Sequence, residues 1–258
     1  MNDVKLALRQ VWYINLAFVR NPAALFFTLI FPLMFLVIFT VIFGNGHVLV
    51  GPGKTVTVST FYVPAIAAFS VINACYTNIA ISLSASRDTG ALKRIHGSPL
   101  PVWGYMFARI VHAVAMAVVL VLICATFGAA FYGATLPTTT LPAFALTLVV
   151  GAAVFSALGV AVTALIPNAD AAPAVVNATI LPLLFISNIF IPLQNPSGWI
   201  DVVGKIFPVR HFADAMIGSF FQLSGSGLHA NDLFVMAAWG IGGLLFGIRF
   251  FQWEPRAE

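Results

Sequence analysis

The side chains able to do chemistry in this chain are few, and their spacing excludes more than it permits. The acids Asp3, Asp88, Asp170, Asp201, Asp214, Asp232, Glu254 and Glu258 stand singly, whereas a lipid-modifying enzyme groups carboxylates around a divalent metal. The histidines are equally dispersed, so no metal site is expected. His112, one turn beyond Arg109, reads as a satisfied pair near a helix end rather than a proton relay. Cys75 and Cys124 fall within apolar runs and read as small packing residues, without disulfide or metal partners. GPGKT at 51–55 has the ending of a phosphate-binding loop. That loop, G-x-x-x-x-G-K-[ST], needs glycine five places before Gly53, where Val48 stands. The chain is expected to hydrolyse no ATP by itself and to hold no catalytic, cofactor or metal residue.

Charges cluster in one stretch only, SRDTGALKRIHGSPLP at 86–101. Arg87, Asp88, Lys93, Arg94 and His96 crowd together there, in a chain that is 8% charged. Leu92 and Ile95, three apart with Lys93 and Arg94 beside them, mark a short amphipathic helix. Ser98-Pro99 and Pro101 would end it. Composition alone leaves open whether this is a positive loop that merely sets topology or an element that docks a partner.

The elements around it follow from the solvent. Apolar residues make up 60% of the chain and mean hydropathy is +1.00, far from a soluble domain with about a quarter of its residues charged. Lipid is the natural solvent. A spanning helix needs about 20 mostly apolar residues, and six segments qualify, at about 24–43, 61–83, 105–131, 142–166, 174–191 and 233–251. The first apolar run is too long for a signal-peptide core and is expected to remain as an anchor. Ahead of it, VKLALRQVWYINLAFVR (4–20) gathers Lys5, Arg9 and Arg20 on one arc. That pattern fits a helix lying in the membrane interface, ended by Asn21-Pro22.

With the N-terminus in the cytoplasm, Lys5, Arg9, Arg20, Arg87, Lys93, Arg94, Arg109, Arg249 and Arg256 fall inside. Only Lys54, Lys205 and Arg210 fall outside, as the bias of basic residues toward cytoplasmic loops requires. Both termini and the loop 84–104 are then cytoplasmic, 44–60 and 133–140 are external, and 167–173 is a tight cytoplasmic turn. The external segment 192–232 is apolar yet broken at Pro192, Pro196, Pro208 and Gly218. Short helices dipping into the outer leaflet suit it, with their backbone covered by protein or facing a cavity.

The spans carry neutral polarity: Asn73, Tyr76, Thr77 and Asn78 in the second, and Asn177, Thr179, Ser187 and Asn188 in the fifth. Such groups either join helices by hydrogen bonds or line a pathway for an amphiphilic solute. Pro182, loosening the helix between Asn177 and Ser187, favours the pathway reading for span five. The pathway candidates are Asn73, Tyr76, Asn177, Ser187 and Asn188. Small residues four apart, Ala153-Ala157-Ala161 and Gly243-Gly247, permit close helix approach and report packing.

Taken in order, these features resemble the ABC-2 family of ABC-transporter permeases, whose members include bacterial drug, antibiotic and polysaccharide exporters. The resemblance rests on the basic interfacial helix, the six spans, the loop R-D-T-G-A-L-K-R-I-H-G-S-P-L, and the interrupted segment before span six. F-I-S-N-I-F-I-P-L (185–193), followed by Trp199 and Phe207-Pro208, is similar to the family's end of span five and its re-entrant helices. One departure is Thr89, where many members carry a second acid after Asp88.

The resemblance implies a single transmembrane domain over 1–258. It would be an all-α integral membrane protein with six transmembrane helices, the interfacial helix, a cytoplasmic coupling helix at 86–98 and a re-entrant helical segment at 192–232. Two ATPase subunits, which bind ATP and Mg²⁺, would drive it, and a second permease chain, identical or related, would complete the pathway. Arg87, Asp88, Lys93 and Arg94 would pair with charges on the ATPase, Leu92 and Ile95 would fill its apolar groove, and Gly90 would shape the loop. Export of a drug, lipid or lipid-linked glycan from the cytoplasm across a bacterial plasma membrane would follow, with membrane lipid around the chain and no nucleic acid as partner. Two other readings stand beside this one. A stand-alone secondary carrier or channel would call for an ionisable residue deep in a span, and none is present away from the span ends. A lipid enzyme would call for the missing acidic cluster.

Overall fold

In lipid every backbone N–H and C=O must be satisfied within the protein, and a helix does this segment by segment. The computed structural model describes residues 3–44, 46–51, 53–97, 100–193, 198–223 and 225–251. The expected break at Pro196 and the charges Glu254, Arg256 and Glu258 lie outside the described residues. The chain folds as an all-α membrane protein with one small strand pair. Its helices are α1 (Asp3–Val19), α2 (Pro22–Phe43), α3 (Val58–Asp88), α4 (Ala91–His96) and α5 (Val102–Tyr132). They continue as α6 (Leu141–Leu165), α7 (Ala172–Phe185), α8 (Gly198–Ile206), α9 (Pro208–Phe220) and α10 (Ala230–Phe250). Among the described residues α2, α3, α5, α6 and α10 are long and apolar enough to cross a membrane.

Several boundaries come from local chemistry. Asn21 separates α1 from α2, because its Oδ1 accepts the N–H of Ala24 at 3.1 Å and caps the new helix just before Pro22. Within α2 the register widens to a π turn over Phe26–Ile30, just ahead of Pro32, whose ring has no N–H to give. The stretch expected as an external, glycine-rich loop forms an antiparallel ribbon instead, β1 (His47–Gly51) against β2 (Lys54–Thr57), with Val48 facing Val56. The β-branched alternation in HVLVG and KTVT was the signal for it.

Two spans depart from their expected limits. The second continues as helix through Asp88, past the expected end at 83. The fifth, expected over 174–191, is helical only over Ala172–Phe185, with turns through Phe190. Beyond Pro182 side chains take over the partners that a helix would use. Ser187 Oγ donates to Leu184 O at 2.9 Å, and Asn188 Oδ1 accepts the N–H of Leu193 at 2.9 Å. This segment runs antiparallel to α3 and is tied to it at three levels. Arg87 donates to Ile166 O and Pro167 O, Tyr76 Oη lies 2.7 Å from Thr179 Oγ1, and Tyr62 Oη donates to Phe190 O at 3.0 Å.

α3 is the centre of the bundle. Of its most apolar stretch 83% of residues are buried, against 17% in α2 and 22% in α10, which face outward. Phe35 and Phe39 of α2 meet Phe69 and Tyr62 of α3 and Phe190 in a cluster of aromatic rings. α10 lies along α6, with Gly243 against Leu158 and Gly247 against Val160, so those small residues serve packing within the chain. α3 carries its own π turn at Asn73–Thr77, and α6 crosses it at Gly159. A Cβ on Gly159 would sit 2.9 Å from the carbonyl oxygens of both Cys75 and Tyr76.

Because those obstacles are backbone, a larger side chain there must part the helices. Gly159→Val is expected to destabilise the protein by about 1–3 kcal/mol, seen as a lower unfolding temperature in detergent. Gly242→Ala, where a Cβ meets nothing within 4 Å, should stay within about 1 kcal/mol of the parent.

Candidate functional site

Where α6 gives way to the turn at 166–167, carbonyls run out of helical partners, and the last turn of α3 supplies one. Arg87, only 3% exposed, donates through Nη1 to Thr163 O at 3.3 Å and through Nη2 to Ile166 O at 2.8 Å and Pro167 O at 3.1 Å. Its Nε lies 3.3 Å from Asp88 Oδ1, while the other carboxylate oxygen of Asp88 accepts the N–H of Ala169. A cation with five donors at a helix C-terminus also meets the negative end of the helix dipole. Asn168 Oδ1 closes the turn by accepting the N–H of Ala171 at 2.9 Å. The last turn of α3 and the α6–α7 turn therefore form one latched unit.

One residue later the helix stops. Thr89 Oγ1 returns to Ala85 O at 2.9 Å, and Gly90 adopts φ +68°, a left-handed conformation that glycine reaches without steric cost. The chain restarts as α4, with Arg94 Nη2 reaching back to Thr89 O at 3.2 Å. α4 turns Leu92, fully buried, and Ile95, half-buried, onto the bundle and leaves Lys93 and Arg94 exposed. On α5, Arg109 Nη2 adds a brace, donating to Ser86 Oγ at 2.9 Å and to Tyr105 Oη at 2.7 Å. His112 pairs with Asn15 of α1, Nδ1 to Oδ1 at 3.0 Å, rather than with Arg109.

This geometry corrects the sequence expectation in three respects. The helix expected over 86–98 is the end of α3, a break at Gly90, and α4; positions 98 and 99, where it was to end, lie outside the described residues. Arg87 and Asp88 are engaged within the chain, because burying a guanidinium demands partners close at hand. Leu92 belongs to the protein's own core. Of the residues expected to meet an ATPase, Lys93 and Arg94 are the ones with exposed side chains.

Below the bend between α8 and α9 lies a cavity of about 780 Å³, walled by α6, α7 and α10. Phe155, Leu158, Ile180, Leu183, Trp239 and Phe246 make it apolar, and Tyr76 and Thr179 bring a hydrogen-bonded hydroxyl pair to it. Trp239 Nε1 donates to Ile206 O at 2.7 Å and its ring stacks on Phe207, pinning the bend to α10. Of the expected pathway residues, Tyr76 lines this cavity. Asn73 is half-buried on the π turn, Asn177 is exposed on α7, Ser187 is buried, and Asn188 donates to Asp214. Those four do not converge with Tyr76.

An ion-pair network was missed because its acids stand alone in sequence. Arg210 pairs with Asp201 at 3.0 Å and with Asp214 at 3.6 Å, Lys205 pairs with Asp201, and Asp232 lies 2.6 Å from His211. The hydrogen bond from Lys205 holds the half-buried Asp201 carboxyl below its usual pKa. The four-residue spacings Asp201–Lys205 and Arg210–Asp214 were the available signal.

The family model for the ABC-2 type transporter matches residues 8–221, most of the chain. The chain belongs to that family, whose membrane domains are permease components that generally work with an ATPase subunit. It is a multi-pass membrane protein. No curated protein matches the chain.

Replacing Arg87 by methionine keeps length but removes every donor. Arg87→Met is expected to cost about 3–5 kcal/mol, as when one partner of a buried pair is deleted. Hydrogen exchange across 163–169 should accelerate. Asp88→Asn, which can still accept from Ala169, should have the smaller effect in both measurements.

Proposed function

We propose that this chain is one half of an ATP-driven exporter in a bacterial plasma membrane, with both termini cytoplasmic. It would work with a second permease chain, identical or related, and two copies of a separate ATPase subunit that bind ATP and Mg²⁺. Six crossings are supported by the segment 166–190. α7 itself has 14 residues, or about 21 Å, short of the roughly 30 Å of hydrocarbon. Its flanking turns, however, are tied to opposite ends of α3, at Arg87 and at Tyr62. In this reading α1 lies in the interface and α8–α9 is the re-entrant hairpin.

The observation that carries the proposal is the exposed Lys93–Arg94 pair on α4, standing on a corner that Arg87 latches to the α6–α7 turn. A push on α4 by the ATPase would reach α3 through the Gly90 corner, and α6 and α7 through the latch, in one movement. Leu92 keeps α4 seated against the bundle, so the push cannot be absorbed by the short helix lifting away. The apolar cavity with its Tyr76–Thr179 pair suits an amphiphilic substrate, such as a drug, a lipid or a lipid-linked glycan.

The test is copurification of the full chain from its native membranes. Lys93→Glu with Arg94→Glu should lower recovery of the ATPase subunit and stimulated ATP hydrolysis by about tenfold or more, since misplaced like charges cost several kcal/mol. Membrane insertion should be unchanged. A chain that purifies alone and still moves solute in liposomes would overturn the reading.

A further inference from the structure

The hydroxyl pair in the wall of the apolar cavity has its two protons assigned by the acceptors around it. Thr179 Oγ1 lies 3.0 Å from Val175 O and 2.8 Å from Val176 O, carbonyls of its own helix, so its single proton is directed there. Tyr76 Oη lies 2.7 Å from Thr179 Oγ1 and has no other partner among the described residues. The arrangement that satisfies both hydroxyls has Tyr76 donating to Thr179. Tyr76 is left with an oxygen that can still accept and no proton to give.

The indole N–H on the wall is committed as well, because Trp239 Nε1 donates to Ile206 O at 2.7 Å. Among the described residues no charged side chain lines the cavity, and Tyr76, Thr179 and Trp239 are its only side chains with a polar group. A volume of about 780 Å³ is one that drug-sized ligands occupy. Within it the wall offers apolar surface and one lone-pair acceptor. An anion would find no donor there and a cation no countercharge, and burying either unpaired is costly. A carbonyl or ether oxygen would meet the Tyr76 oxygen acceptor to acceptor, whereas an O–H or N–H would be answered. Tyr76 reaches this wall on the π turn of α3, Asn73–Thr77, a departure from α-helix that gathers at functional sites.

We infer that the cavity selects an uncharged, apolar molecule bearing a hydroxyl or N–H donor, and that Tyr76 is the residue that reads the donor. A phospholipid or lipid-linked glycan would have to leave its phosphate outside. That such a molecule is the cargo rests on the permease reading; that the cavity binds it does not.

Equilibrium binding to the purified full chain in neutral detergent, with radiolabelled para-nonylphenol, its methyl ether and para-nonylbenzoate as probes, tests the assignment. The phenol should bind about five- to tenfold more tightly than the ether, the effect of one hydrogen bond, and the benzoate most weakly. Tyr76→Phe should bring the phenol down to the affinity of the ether and leave the ether unchanged, which also shows that the variant is folded. Thr179→Val removes the acceptor of the Tyr76 proton. Once freed, that proton can meet an ether oxygen, so the ether should gain. Gly242 lines the cavity at a point where a Cβ meets nothing within 4 Å, and Gly242→Leu should weaken both neutral probes. Equal affinity for phenol and ether in the parent chain overturns the inference, as does a benzoate that binds as tightly as the phenol. So does a preference that survives Tyr76→Phe, an ether indifferent to Thr179→Val, or binding indifferent to Gly242→Leu. Since no readout here involves transport or the ATPase, failure leaves the permease reading intact, and a chain that purifies without an ATPase leaves this binding in place.

Discussion

Arg87 carries its charge into a place where 3% of its surface stays open, and a guanidinium can be buried there only if its donors are answered nearby. The answering groups are Asp88 on the same helix and three carbonyls on another segment. Satisfying one side chain thereby fixes how the end of α3 sits on the α6–α7 turn. The turn gains as well, because the carbonyl of buried Ile166 and the N–H of half-buried Ala169 find their partners in Arg87 and Asp88. Arg109, bridging Ser86 and Tyr105, repeats the solution one helix over. The result is a stiff end, on which α4 is a projection.

Between that end and the ion-paired corner of α8, α9 and α10, close approach holds the bundle. Between helices in lipid there is little hydrophobic drive, so association depends on shape and contact. α3 meets this need with Gly159 of α6 seated on its widened turn, and α10 with Gly243 and Gly247 along α6. The aromatic cluster around Phe35, Phe39 and Phe190 fills the opposite side, where rings rather than small residues set the spacing.

Much of the architecture was legible in the sequence, since a spanning helix announces itself by length and apolarity alone. The α1–α2 break could be read from Asn21-Pro22, and the break between α8 and α9 from Pro208 in an apolar yet interrupted segment. What hydropathy could not give was the difference between a charge at a helix end and a charge in a loop. Arg87 and Asp88 look alike in both settings, and only the distant carbonyls of 163–167 decide between them. For the same reason Leu92 read as an outward residue, although the bundle it covers is built from segments far away in the chain. The shortness of α7 was equally hidden, because Ser187 and Asn188 are ordinary inside a helix until their side chains take the place of its hydrogen bonds. The family assignment needed none of these details, resting on the order of features along the chain.

The π turn at Asn73–Thr77 has a consequence of another kind. A π turn holds one residue more than its α-helical counterpart, so the residues beyond it are rotated by about 100° relative to an uninterrupted helix. α3 is in that sense two helices sharing an axis, with a phase slip between them. Tyr62 lies before the slip and Arg87 after it, yet both meet the same returning segment, 166–190. The helix bears the geometric mark of a one-residue insertion, and removing a residue there would re-phase one half against the other. Its reading frame of contacts is thus written in two parts, and the seam falls where Gly159 of α6 lies against it.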